Sequence, residues 1–197
     1  MSLFPTPIYT CEVEIEEEER LFLLNQYPDN IIKNKGNFLS KDFDILKNIE
    51  VQALNKKLLY LVNDAFNCIH RPRNDTKLYI TQSWLNFSVK GQYHHQHSHT
   101  NSFFSAVLYL NTTERDSIIF LNPKGYGGYD VESLNCGIFN SSLWKIPVKD
   151  NLLLIFPSAI EHTVPVVEHD NLRVSLSFNT FLKGKLGAPD GLNYLVL

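Results

Sequence analysis

The chain has 197 residues, 44% of them hydrophobic and 20% charged, and its 18 Lys and Arg against 21 Asp and Glu leave a net charge of −3. A chain of this length buries about 70% of the surface its unfolded form exposes, so one domain without disulfide staples is expected, of ordinary soluble globular composition. The slightly acidic balance argues against a phosphate-coating nucleic-acid binder.

At the N-terminus, "MSLFPTPIY" shows no charged region followed by an apolar stretch, so no signal peptide is expected. "PTPIYTCEVEI" alternates after its prolines and reads as an edge strand. "EEEERLFLLNQY" reads as a helix whose first turn is acidic, where the helix dipole favours negative charge. The strongest predicted helix runs from about Ile49 to Ile69. Val51, Leu54, Leu58, Leu61, Ala65 and Ile69 form its apolar stripe, which must pack on the sheet that follows. "HRPRNDTK" (His70 to Lys77) is a small basic cluster and reads as a solvated loop.

From Lys77 onward the pattern changes to short strands separated by turn residues. Strands are expected near Leu78–Val89, Phe103–Leu110, Ser117–Leu121, Asn151–Phe156, Glu161–Val167 and Leu172–Leu182. "NPKGYGGYD" (Asn122 to Asp130) lacks the spacing of a phosphate cradle and reads as a Gly-rich loop. "LLLIF" (Leu152 to Phe156) is the densest apolar run, too short to span a membrane. Cys11, Cys68 and Cys136 are odd in number and widely spaced, which predicts reduced thiols in a reducing compartment, the cytoplasm. The expected fold is mainly β with a helical N-terminal part: a double-stranded β-helix (jelly-roll or cupin-like barrel) with helices packed on the outer sheet. It forms one domain over 1–197, with mostly helical support at 1–76, the β-helix core at 77–182 and a C-terminal tail at 183–197.

Four of the seven histidines fall within "HHQHSH", residues 94–99. Side chains at i and i+2 of an extended strand share a face, so His97 and His99 can present two imidazoles to one ion, with Ser98 turned away. A lone strand histidine is more often a hydrogen-bonded core or surface residue than a ligand. His162 in "FPSAIEHTVPVV" supplies a third imidazole from another strand, and the two segments make sense together only in a closed sheet. By the same parity His95 faces the way of His97 and His99, and His94 the other way; both are assigned roles around the site or at its entrance. His70 and His169 read as surface residues. Imidazole suits zinc, copper, iron and nickel, and a three-histidine zinc site with an open position would be hydrolytic or hydrating.

Downstream lies "RVSLSFN" (Arg173 to Asn179). Val174, Leu176 and Phe178 share the core face, while Arg173, Ser175 and Ser177 share the other. An arginine on the inner face of a barrel is an unpaired buried charge, costly unless an anion meets it. Arg173 can grip a carboxylate through two parallel N–H bonds, and Ser175 can add a hydroxyl. The alternative is a surface arginine on an amphipathic edge strand.

With these residues in place, the chain resembles the 2-oxoglutarate/Fe(II)-dependent dioxygenases, in particular a small group of bacterial and phage oxygenases. The resemblance rests on "LFPTPIY", "SWLNFSVKGQYHHQHSHTNSFFSAVLYL", "FPSAIEHTVPV" and "RVSLSFN", in the family's order and over most of the chain. It implies a double-stranded β-helix, with iron held through His97, His99 and His162 and the distal carboxylate of 2-oxoglutarate anchored by Arg173 and Ser175. Tyr109 and Asn86 match positions that commonly line the 2-oxoglutarate pocket. The implied activity is oxidation, by hydroxylation in the first instance, of an unknown small molecule or protein side chain, with O2 consumed and succinate and CO2 released. The location implied is the cytoplasm, that of the host if the gene is phage-borne. The chain departs from the family at the middle ligand, where His99 stands in place of the usual Asp or Glu and raises the charge of the site by one.

The alternatives are a cupin-type metal protein or enzyme without 2-oxoglutarate, and a non-catalytic binding module. Gly91 to His99 fits the opening of the cupin pattern, but Phe103 and Phe104 stand where its glutamate is expected, and Val166 where its asparagine is. A membrane or nucleic-acid partner is not expected, and association into a homo-oligomer is left open.

Overall fold

The computed structural model describes residues 4–122 and 132–197. The elements in chain order are β1 (Tyr9–Glu12), α1 (Glu17–Leu24), β2 (Ile31–Lys33), β3 (Phe38–Ser40), α2 (Gln52–His70), β4 (Lys77–Ser88), β5 (His94–His97), β6 (Phe104–Asn111), β7 (Ser117–Leu121), β8 (Leu143–Pro147), β9 (Leu152–Pro157), β10 (His162–Val164), β11 (Arg173–Lys183), β12 (Lys185–Leu186) and β13 (Leu195–Val196). The major sheet has the order β1-β9-β6-β11-β4-β3-β2 and the minor sheet β5-β10-β7-β8, all antiparallel, while β12 and β13 form a separate pair. The double-stranded β-helix expected from the sequence is this pair of facing sheets, with α2 packed on the outside of β4.

Two apolar layers follow from strand periodicity. On β6, β9 and β11, Ala106, Leu108, Leu153, Ile155, Val174, Leu176 and Phe178 face the helices, where they meet Leu54, Leu58, Val62 and Phe66 of α2. The alternate residues Val107, Tyr109, Leu154 and Phe156 face inward and pack with Ile118 and Phe120 of β7. The predicted stripe packs on the core, with Val51, Leu54, Leu58 and Ala65 buried and Leu61 and Ile69 partly buried against it, and Val62 and Phe66 widen the buried face along the i+4 row.

No side chain of α2's own N-cap residue, Val51, caps the helix. The cap comes from α1 instead: the Leu54 N–H donates to Glu19 Oε1 at 2.7 Å, and Glu19 is buried. A glutamate expected to serve its own helix dipole thus holds the next helix in place. β1 is an edge strand, as its prolines suggested. β10 stops at Val164, short of the expected Val167, because Pro165 has no N–H to continue the ladder. The Gly-rich loop expected at 122–130 lies, beyond Asn122, outside the described residues. No helix among the described residues is long and apolar enough to cross a membrane.

Candidate metal centre and anion cleft

β5 and β10 bring the histidines together: His162 pairs with His97, and Val164 pairs with His94. Three residues on β10 (162–164) therefore oppose four on β5 (94–97), and the extra residue on β5 is a β-bulge. His97, His99 and His162 offer ring nitrogens that all lie within 4.8 Å of one another. His99 follows the end of β5, fixed by its N–H to the Ser158 carbonyl at 2.9 Å, with Trp84 of β4 beside its ring. Ser98 is exposed, as the period-2 reading requires.

The protonation of the cluster favours metal binding. Burial, followed by the neighbouring histidines, lowers the pKa of His162 to about 3 and that of His99 to about 4, and burial lowers His97 as well. All three are neutral at pH 7, the form that ligates. The rings of His97 and His162 each place Nδ1 against a backbone carbonyl, His95 at 2.7 Å and Ile160 at 3.2 Å. A carbonyl only accepts, so Nδ1 carries the proton and Nε2 keeps its lone pair. No Asp or Glu joins the cluster among the described residues; Glu161 points outward, where its carboxylate accepts from Gln96 at 2.7 Å.

The bulge corrects the parity reading of the remaining pair. His94 lines the cleft and stacks on His97 with ring centroids 4.4 Å apart, whereas the His95 ring lies 3.4 Å from the Lys35 carbonyl. One extra residue in β5 reverses which of the two faces inward. The sequence carries no direct signal for such a bulge.

From the imidazoles the cleft runs along the inner face of β11, through Asn179, Ser177 and Ser175 to Arg173. Ser175 is in register with Asn86 of β4 on one side and Tyr109 of β6 on the other, so three of the residues singled out in the sequence form one cross-strand row. Arg173 lies beyond them, its guanidinium carbon 5.4 Å from the Tyr109 ring centroid. Asn86 donates to Ser177 Oγ at 2.9 Å, but its Oδ1 and the Tyr109 hydroxyl are buried without a hydrogen-bond partner. Burial pushes the Tyr109 hydroxyl up to about 12, so it is a neutral donor. Unpartnered buried polar groups cost free energy, and two of them beside a buried arginine make a pocket suited to a small polar anion.

Arg173 is not the unpaired charge expected from the strand pattern. Its Nε lies 3.4 Å from Asp116 Oδ1, and both side chains are almost fully buried. Asp116 Oδ2 accepts from the Thr113 N–H at 2.8 Å and lies 3.1 Å from His169 Nε2, so His169 belongs to this network and not to the surface. Asp116 carried no sequence signal, because it precedes a short strand and stands far along the chain from Arg173.

Residues 82–179, from within β4 to within β11, match a family model described as "Putative 2OG-Fe(II) oxygenase". Among curated proteins no sequence match is found. The fold is similar to an oxidoreductase of the 2OG-Fe(II) oxygenase family from Burkholderia pseudomallei, at 12% identity and a TM-score of 0.61 over 88% of this chain and 83% of that one. It is similar also to HygX from Streptomyces hygroscopicus, solved with nickel, 2-oxoglutarate and hygromycin B, at 12% identity and a TM-score of 0.61 over 89% and 82%. A third similar structure is the viral collagen prolyl hydroxylase from Paramecium Bursaria Chlorella virus-1 in its 2-oxoglutarate complex, at 14% identity and a TM-score of 0.55 over 88% and 94%. At these identities the structures speak for the fold, and the sequence match speaks for the family: the barrel segment 82–179 belongs to the 2OG-Fe(II) oxygenases.

Proposed function

We propose that the protein is a 2-oxoglutarate- and Fe(II)-dependent dioxygenase that oxidises, by hydroxylation in the first instance, a C–H bond of its substrate. The observation that carries this reading is one cleft with three neutral imidazoles at one end and a buried arginine at the other, beside the unpartnered Tyr109 hydroxyl and Asn86 Oδ1. His97, His99 and His162 would hold the iron, His97 and His162 through Nε2. Arg173 and Ser175 would take the far carboxylate of 2-oxoglutarate, with Tyr109 and Asn86 along its flank. Fe(II) with 2-oxoglutarate supplies O2-dependent oxidation coupled to the release of succinate and CO2.

The chain's own part is positioning and exclusion. Carbonyls at His95 and Ile160 fix two ring orientations, and Phe156, packed edge-on against His162 at 4.9 Å, shields that ring from water. Arg173, Ser175 and Tyr109 offer donors that a dicarboxylate can satisfy and a neutral molecule cannot. Substrates would enter beside Trp84 and His99, and their class is set by contacts outside this polar row. Cys11, Cys68 and Cys136 are free thiols, which supports a reducing compartment such as the cytoplasm. The direct test of the activity is succinate release from 2-oxoglutarate by the purified protein in air with Fe(II). Slow turnover without added substrate is expected, and none should occur without iron. Metal-loaded protein that forms no succinate would sink the assignment.

A further inference from the structure

The one buried carboxylate in contact with Arg173 has no place in the reaction as proposed. Asp116 sits at the start of β7, across the cleft wall from β11, and its Oδ1 lies 3.4 Å from Arg173 Nε. Its second oxygen is committed elsewhere, to the Thr113 N–H and Nε2 of His169, so the carboxylate is held in place independently of the arginine. Arg173 makes no other ion pair among the described residues, and its other neighbour on the cleft wall is Tyr109, whose ring centroid lies 5.4 Å from the guanidinium carbon. Guanidinium has five N–H donors; one loose contact neutralises its charge without using up its fork. The free cleft is thus charge-balanced by a residue of the chain itself.

We propose that Asp116 is an internal counter-ion that stands in for the cosubstrate's carboxylate at Arg173 and thereby sets how tightly the cleft binds a dicarboxylate. The inference rests on the functional reading above. Without a bound anion, Asp116 removes the cost of burying Arg173 alone. With an anion bound, two carboxylates share one guanidinium, and their repulsion in a water-poor cleft weakens binding. Stability of the free protein and affinity for the dicarboxylate therefore oppose each other at this one position. The affinity is held down, so that occupancy of the cleft follows the supply of 2-oxoglutarate.

Asp116→Asn removes the charge and the contact together: the amide oxygen still accepts from the Thr113 N–H, while the amide NH2 takes the place of Oδ1 and cannot accept from Arg173 Nε. The probe is 2-oxoglutarate titrated calorimetrically into Ni(II)-loaded protein, with thermal melting recorded alongside. The variant is expected to bind 2-oxoglutarate about tenfold more tightly than wild type, to bind nickel equally well, and to melt lower without the dicarboxylate. Its stabilisation by 2-oxoglutarate should exceed that of wild type, and Arg173→Ala in the same background should abolish binding. Folded Asp116→Asn protein that binds 2-oxoglutarate no more tightly than wild type, or more weakly, overturns the proposal and makes Asp116 a brace for Arg173. If the variant does not fold alone, refolding with nickel and excess 2-oxoglutarate should recover it, and failure to recover it overturns the proposal as well. Wild-type protein that binds nickel but no 2-oxoglutarate removes the functional reading itself, a result distinct from the other two.

Discussion

His99 decides what kind of centre this is. It stands where the family's common pattern has a carboxylate, and no Asp or Glu among the described residues takes over that position. A neutral third imidazole leaves the metal site one unit more positive than a carboxylate would. If His99 is a ligand, His99→Ala should lower metal affinity by about two orders of magnitude. His99→Asp should keep the metal, because the shorter side chain still brings an oxygen donor to the cluster; equilibrium dialysis against Zn(II) and Fe(II) measures both. Metal affinity unchanged in His99→Ala would show that another group, with His94 nearest, holds the third position. At this scale the sequence was most legible where strand parity holds, for Arg173 and Ser175, and these line one cleft with Asn86 and Tyr109, which the family resemblance had pointed to. It was silent on Asp116, whose role depends on a partner far along the chain.

β5 and α2 each owe their position to something outside themselves. β5 turns His94 and His97 into the cleft because a bulge against β10 adds a residue, and a parity argument fails wherever a ladder slips by one. Gly36 lets this strand approach: at φ +96° it gives its carbonyl to the Tyr93 N–H at 3.0 Å, and a Cβ there would lie 2.6 Å from the Tyr93 carbonyl oxygen. β8 escaped the sequence reading for a different reason. At the edge of the minor sheet most of its residues are exposed, so no buried face writes an alternation into it. α2 was legible from its apolar stripe, but its cap was not, since Glu19 comes from α1. Replacing Glu19 with Ala should cost about 1–2 kcal/mol, by removing a cap and leaving a buried N–H unpaired. Glu19→Gln, which keeps an acceptor oxygen, should cost less than half of that. Urea unfolding at constant m-value measures both, and equal losses would show that charge, not capping, is what Glu19 provides.

Across the whole molecule, period-2 alternation gives β6, β9 and β11 one face packed on the helices and another turned inward, and the inward face is apolar on β9 and most of β6 but polar along β11, where Arg173, Ser175, Ser177 and Asn179 line the cleft. That is why the fold class could be read from sequence while the closure of the minor sheet could not. The closed cleft also makes the protein acid-sensitive. His94, His99 and His162 have ordinary values of 6.5 and folded values of about 3, 4 and 3. Below about pH 6.5 the unfolded chain takes up protons that the folded chain refuses, so stability is full above that pH and falls as pH drops toward 4. The loss is at most about 1.4 kcal/mol per pH unit for each histidine, less for the partly exposed His94 and His99. Metal-free protein melted between pH 7.5 and 4.5 should show this fall, and a melting temperature flat over that range would mean that the imidazoles are solvated. The central claim, that three histidines and Arg173 form the two ends of one binding site, has a direct test in the anaerobic titration of 2-oxoglutarate into Fe(II)-loaded protein. A saturable visible charge-transfer band is expected in wild type. In Arg173→Ala, iron should stay bound while the band is lost at matched concentration. Iron-loaded wild type that gives no band, or an Arg173→Ala variant that saturates as wild type does, would contradict it.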